Sequence, residues 1–280
     1  MANAPTKPTT TVTKESSSAS GAFASLTIPI CLAVAILIFI FILGDPSHYK
    51  GGDPTAGEPT DMFGTVHKGG VIVPLIMSYV LMVIVFSIER LVVIGKASGT
   101  GNVEAFVKRI QSFLNSGNIA AASAECDKQK GSVANVIKSG LKKYAEMEQD
   151  ETLDVDQKTL AIQKDIEEAT ALEMPMLEQN LTIIATLVSI GTLTGLLGTV
   201  VGMIKAFGEL GAGGAANPTA LSNSISEALV NTALGISTSA ISIVMYNVFT
   251  SKIDKLTYAI DETGFSIVQT FAASHKNRRA

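Results

Sequence analysis

The chain has 280 residues and a formal net charge of −4; 47% of its residues are hydrophobic and only 16% are charged. Its mean hydropathy is +0.36, and its charges fall in segments that alternate with uncharged runs. That pattern excludes an ordinary soluble domain and fits a polytopic membrane protein. No nucleic acid is expected as a partner.

Residues 1–22 open with the Thr/Ser/Pro-rich stretch MANAPTKPTTTVTKESSSAS and are expected to be a disordered cytoplasmic tail. An extra N-terminal transmembrane helix follows over 23–44. It departs from a cleaved signal peptide because Lys7 and Lys14 are sparse, the apolar run from Leu26 to Leu43 is too long, and Gly44-Asp45-Pro46 is a poor cleavage site. Residues 45–69 form a loop. A second transmembrane helix is expected over 70–94, where charges are absent from Gly69 to Ile88.

The segment 95–178 is amphipathic. Val103, Phe106, Val107, Ile110 and Leu114 recur at helical spacing, as do Val133, Val136, Ile137, Leu141 and Tyr144, and a third run continues through Ile162, Ile166 and Ala169. Breakers stand at Ser116-Gly117-Asn118 and Lys130-Gly131-Ser132, and Pro175 is placed to bend the third run. A cytoplasmic helical domain is therefore expected, with the acidic residues between 146 and 178 on a solvated face. Beyond it come a transmembrane helix over 179–207, a turn over 208–220, a last transmembrane helix over 221–251 and a tail over 252–280.

Basic residues set the orientation. They are dense between the second and third spans, including Lys108, Arg109, Lys142 and Lys143, and recur in the tail as Lys252, Lys255, Lys276, Arg278 and Arg279. The loop 45–69 has only Lys50 and Lys68, and the turn 208–220 has none. Both termini and the 95–178 domain are thus expected in the cytoplasm, with 45–69 and 208–220 periplasmic. The fold class expected is an all-α membrane protein with four transmembrane helices and long helices extending into a cytoplasmic helical domain.

Enzyme chemistry is not expected. His48, His67 and His275 lack metal-ligand spacing and are taken as exposed. Cys31 lies in a span and Cys126 in the cytoplasmic segment, so they cannot pair. Phosphate loops, nucleophile elbows and HExxH are missing. No catalytic residue, metal or cofactor is assigned.

The last two spans carry the functional signal. A helix that only anchors can be apolar all round, because polar side chains in a bilayer are costly without a use. Here one helix repeats Gly191, Gly195, Gly198 and Gly202, and the other carries Glu227, Asn231, Thr232, Gly235 and Ser239. Thr192, Gly195, Thr199 and Gly202 share a helical face, and Thr232, Gly235, Ser239 and Ser242 repeat that spacing. The five glycines suit close helix packing. The hydroxyl stripes suit either helix packing alone or the lining of an ion path. Glu227 has a second reading too, as a charge favouring the N-terminal turn of its helix.

The stretches GLLGTVVGMIKAF at Gly195–Phe207, ISEALVNTALGI at Ile225–Ile236 and YNVF at Tyr246–Phe249 resemble the ExbB/TolQ/MotA proton-channel family, nearest to ExbB. The resemblance extends more loosely over Val103–Ile253. It implies an inner-membrane homo-oligomer, a pentamer, in contact with membrane lipid and built around an ExbD-like single-span protein bearing a membrane aspartate, with a TonB-like protein as client. It also implies that Thr199, Thr232 and Glu227 lie on the proton pathway; Thr192 and Ser239, on the hydroxyl stripes, and Asn231, beside Glu227, are expected to line the pore with them. The expected function is a proton-channel subunit that uses the proton motive force for TonB-dependent outer-membrane transport. A TolQ-like or motility-motor role in the same family, or a passive helical scaffold, is the alternative. Two departures stand out: Thr192 and Ala240 replace family prolines, so bends at those points are in doubt. Asn231 replaces a small apolar residue one turn from Glu227, within reach of a hydrogen bond to it.

Overall fold

The structure is a computed structural model, and it describes residues 16–55, 57–211 and 218–276. Nine α-helices are found among them: α1 Ser16–Leu37, α2 Met62–His67, α3 Ile72–Ser98, α4 Val103–Asn115, α5 Ile119–Gln129, α6 Gly131–Gln149, α7 Val155–Glu178, α8 Leu181–Gly211 and α9 Pro218–Lys276. No strand occurs among the described residues, only an isolated bridge between Tyr49 and Pro59. Four helical stretches are long and apolar enough to cross a membrane: Phe23–Leu43, Ile72–Asn115, Val155–Gly211 and Pro218–His275. The protein is therefore an all-α membrane protein.

Two compact units divide the chain: 1–82 with 191–236, and 83–190 with 237–280. In the second unit the helices form because their apolar residues recur on one face. Phe106, Val107, Ile110 and Leu114 of α4 are buried, as are Val133, Val136, Ile137, Leu141 and Tyr144 of α6. Tyr144 meets Phe271 of α9 edge to face, with ring centroids 4.9 Å apart. The helix starts carry their own caps: Asn102 for α4, Asn118 for α5, and a reciprocal Asp154/Gln157 box for α7. At the α5–α6 junction both Lys130 (φ 58) and Gly131 (φ 80) take left-handed conformations. A side chain at Gly131 would lie 2.5 Å from the Ala97 carbonyl, so glycine is needed there on two counts.

Several boundaries differ from the sequence reading. The helix α1 starts at Ser16, inside the segment expected to be a tail, and residues 1–15 lie outside the described residues. Helix α7 passes through Pro175 and stops three residues later at Glu178; the Gln179 N–H donates to the Pro175 carbonyl and Asn180 turns left-handed at φ 61. The chain from 252 onwards is no tail; it continues as α9 to Lys276. The reason is burial: Ile253, Leu256, Ile260, Ile267 and Phe271 recur at helical spacing and are buried in the second unit. Helices α8 and α9 run unbroken through Thr192 and Ala240. The Gly/Ala turn at 212–217 lies outside the described residues.

Arg90 is the largest fully buried side chain, 1% exposed, inside the second unit. Its Nη1 donates to the carbonyls of Met176 and Leu177, both at 3.1 Å, and its Nε donates to Glu89 at 2.6 Å. It thus satisfies carbonyls at the end of α7 that have no partner within the helix. Both cysteines are free and buried, Cys31 in the first unit and Cys126 in the second.

The loop 45–69, in the first unit, is folded. His48 Nδ1 and Asp61 lie 2.6 Å apart, Tyr49 Oη and His67 Nδ1 lie 2.6 Å apart, and Lys68 Nζ donates to the Thr55 carbonyl at 2.8 Å. The His67 ring packs on Phe39 at 4.5 Å. Histidines 48 and 67 are therefore engaged and partly buried, not free surface residues. Burial, helped by Lys68, holds the His67 imidazole below the ordinary histidine range.

Candidate functional site

Within the first unit, α8 and α9 pack glycine against glycine. A Cβ added to Gly235 would lie 2.6 Å from the Gly191 carbonyl and 2.7 Å from Gly195 Cα. One added to Gly202 would lie 2.7 Å from Ala228 Cβ and 2.9 Å from the Ser224 carbonyl. Gly198 faces Asn231 so closely that any side chain there would collide with it. The five glycines named from their spacing thus mark one seam, along which the two backbones approach as only small residues permit.

The seam brings Thr199 and Thr232 together. Their hydroxyls are hydrogen-bonded to each other, and both lie within 3.3 Å of the Gly195 carbonyl. Thr232 Oγ1 is also 3.2 Å from the carbonyl of Ala228. Thr199 forms part of a groove on α8 lined by Leu196, Val200, Met203, Ile204 and Phe207. Of these, Leu196, Val200, Ile204 and Phe207 are at least half exposed, so the hydroxyl pair sits at the edge of an uncovered apolar face.

Glu227 lies in the third turn of α9, beyond the range over which a helix terminus favours a negative charge. Its carboxylate accepts from Lys205 Nζ at 2.6 Å. Beside the same oxygen runs the tight turn 69–70: Gly70 has φ +75, and a Cβ there would lie 2.5 Å from Glu227 Oε1. Asn231 is fully buried and does not bond Glu227. Its Nδ2 donates instead to the Gly69 carbonyl at 2.9 Å, because α9 packs against that turn. Asn231 Oδ1 has no hydrogen-bond donor among the described residues. Glu209 accepts from Ser224 at 3.3 Å.

The structure therefore brings Thr199, Thr232, Glu227 and Asn231 onto one hairpin. Thr192 is an exposed residue of α8, and Ser239 is buried in the second unit. Sequence reasoning missed Lys205, because it lies at the end of an apolar run and its partner is on the other helix. The signal available was a lone lysine facing a lone glutamate across a short turn. Among the described residues no group of three His, Cys, Asp or Glu side chains is placed to hold a metal ion.

A polytopic helical membrane protein whose last two spans meet along glycines and share a hydroxyl pair is defined by these features. A sequence model of the MotA/TolQ/ExbB proton channel family matches residues 128–262, so the chain is similar to that family over this stretch. It is 36% identical over 88 residues to a biopolymer transport protein, ExbB-like 3, of Synechocystis sp., a match covering 31% of this chain and 42% of that protein. The chain thus spans less than half of that relative. It is 23% identical over 206 residues to the Tol-Pal system protein TolQ of Pseudomonas aeruginosa, covering 73% of this chain and 89% of that one. An ExbB homolog of Methanothermobacter thermautotrophicus is 25% identical over 198 residues, covering 69% and 66%.

Proposed function

We propose that the chain is the channel subunit of an inner-membrane energy-transducing complex, ExbB-like, with both termini in the cytoplasm. Copies of it surround the single-span helix of an ExbD-like partner, and proton flow between them powers a TonB-like protein. The observation that carries this reading is the Thr199–Thr232 hydroxyl pair at the edge of an uncovered apolar face. An apolar helix seated there would place a membrane carboxylate of its own beside two hydroxyls that can hand on a hydrogen bond. A continuous proton path needs such a carboxylate, since Glu227 is the one acidic side chain along α9 in this unit. Membrane lipid covers the remaining exposed apolar side chains.

The test is Thr199→Val with Thr232→Val, which keeps shape and removes both hydroxyls. The double variant should accumulate, assemble and co-purify with its single-span partner, yet lose energy-dependent uptake of an outer-membrane ligand. Full uptake would reduce the pair to packing, where an interhelical hydroxyl bond is worth only about 0.6 kcal/mol. A TolQ-like role is the second reading, favoured by the long match to TolQ. It predicts normal uptake and a detergent-sensitive envelope on deletion of the gene.

A further inference from the structure

We propose that Lys205 decides which cation the Glu227 carboxylate accepts, admitting a proton and turning away a metal ion. This rests on reading Glu227 as part of the ion path. Glu227 is enclosed, with its side chain 14% exposed, whereas Lys205 is 49% exposed and reaches its Oε1 at 2.6 Å. The turn at Gly70 crowds that same oxygen, and Asn231 has committed its amide nitrogen to the Gly69 carbonyl. The carboxylate is thus largely enclosed, and an ammonium stands against one of its oxygens.

A sodium ion would need several oxygens around it and a position beside that ammonium, where two like charges in a poorly screened site repel strongly. A proton needs neither. It bonds to one carboxyl oxygen of Glu227, neutralises it, and releases the still-protonated Lys205 to swing towards water on its flexible stem. When the proton leaves, the ammonium returns. Lys205 is therefore a positioning and selectivity residue that exchanges places with the proton, and the net charge of the pair changes by one at each step.

Other charged groups on the surrounding elements are already engaged. Glu209 of α8 accepts from Ser224, His67 of α2 is held by Tyr49, and Lys68 by Thr55. In the loop, His48 pairs with Asp61 and Lys50 with Glu58, and Asp45 accepts from the Ser47 N–H. The parts of α3 and α9 in this unit carry no other charge.

The experiment uses a hydrophobic carbodiimide, which modifies carboxyls in their protonated form, on the full chain in native membranes. Modification of the Glu227 peptide is followed by mass spectrometry in sodium chloride and in choline chloride of equal ionic strength. Modification of the wild type and of Lys205→Arg should proceed equally in both salts. In Lys205→Met it should be faster in choline and slowed severalfold by sodium; Lys205→Gln should do the same and serves if the Met variant fails to accumulate. Sodium protection of the wild type, sodium-insensitive modification of both neutral variants, or a Glu227 that never reacts would each overturn the proposal. The readout reports on the carboxyl whether or not the chain conducts, so its failure leaves the threonine test of the channel reading untouched.

Discussion

At single residues, an enclosed charge depends on every partner it has. Arg90 satisfies two carbonyls of α7 and its neighbour Glu89 at once. Arg90→Met should therefore destabilise the second unit by about 3 kcal/mol, the loss typical of breaking a buried charged pair. Arg90→Lys should recover little, because an ammonium lacks the planar fork that spans both partners. Chemical unfolding of the purified protein in detergent measures both. His67 offers a prediction of opposite kind. Because its folded-state imidazole titrates below the ordinary range, the folded loop binds fewer protons than the unfolded chain. The contribution of His67 is thus present above about pH 6.5 and lost as the pH falls below it. Proteolysis within 45–69 should accelerate on acidification in the wild type and less so in His67→Gln; equal acceleration would refute the assignment. Neither Arg90 nor His67 was legible as important beforehand. Periodicity tells which face of a helix is buried but not which distant carbonyl or hydroxyl is set opposite, and Arg90 meets partners 86 and 87 positions away.

At the level of elements, the α8–α9 seam was readable because its cause is local: glycines three or four residues apart on one helix and small or hydroxyl residues at the same spacing on the other. The same spacing could not give the seam's tightness, which varies position by position. Gly198→Ala forces a methyl into Asn231 and should cost about 1–3 kcal/mol, as overpacking does. Gly208→Ala, on the same helix with nothing within 4 Å of the added atom, should be neutral or stabilise by up to about 1 kcal/mol. Thermal unfolding of the two variants in one detergent tests the contrast, and equal melting points would sink it. Helix ends were less legible. The expected boundary between 178 and 179 falls beside the observed turn, but Pro175 does not end the helix; the chain turns at Asn180, where a left-handed conformation suits asparagine.

For the whole molecule, the four spans and the family resemblance were legible from charge-free runs and from the GLLGTVVG and EALVNTALG segments, whereas the folded loop and the helical character of 252–276 were not. The first depends on pairings between residues far apart in the loop. The second was obscured by the tail's charges, which alternate with the buried apolar positions. The positive-inside bias predicts that cysteines placed at the exposed positions Ser47 and Thr55 react with a membrane-impermeant maleimide in spheroplasts, and that one at exposed Ala124 does not. Reaction at 124 alone would invert the topology.

The two native thiols bear directly on how such experiments can be done. Burial, with Asp127 alongside, pushes the Cys126 thiol up to about 12, so it keeps its proton under any condition a cell tolerates. Cys31 is enclosed as well, 4% exposed. The unaltered folded chain thus offers thiol reagents little to react with: a spin label, fluorophore or crosslinker attached through a new exposed cysteine would report from that site without a native thiol being engineered away first.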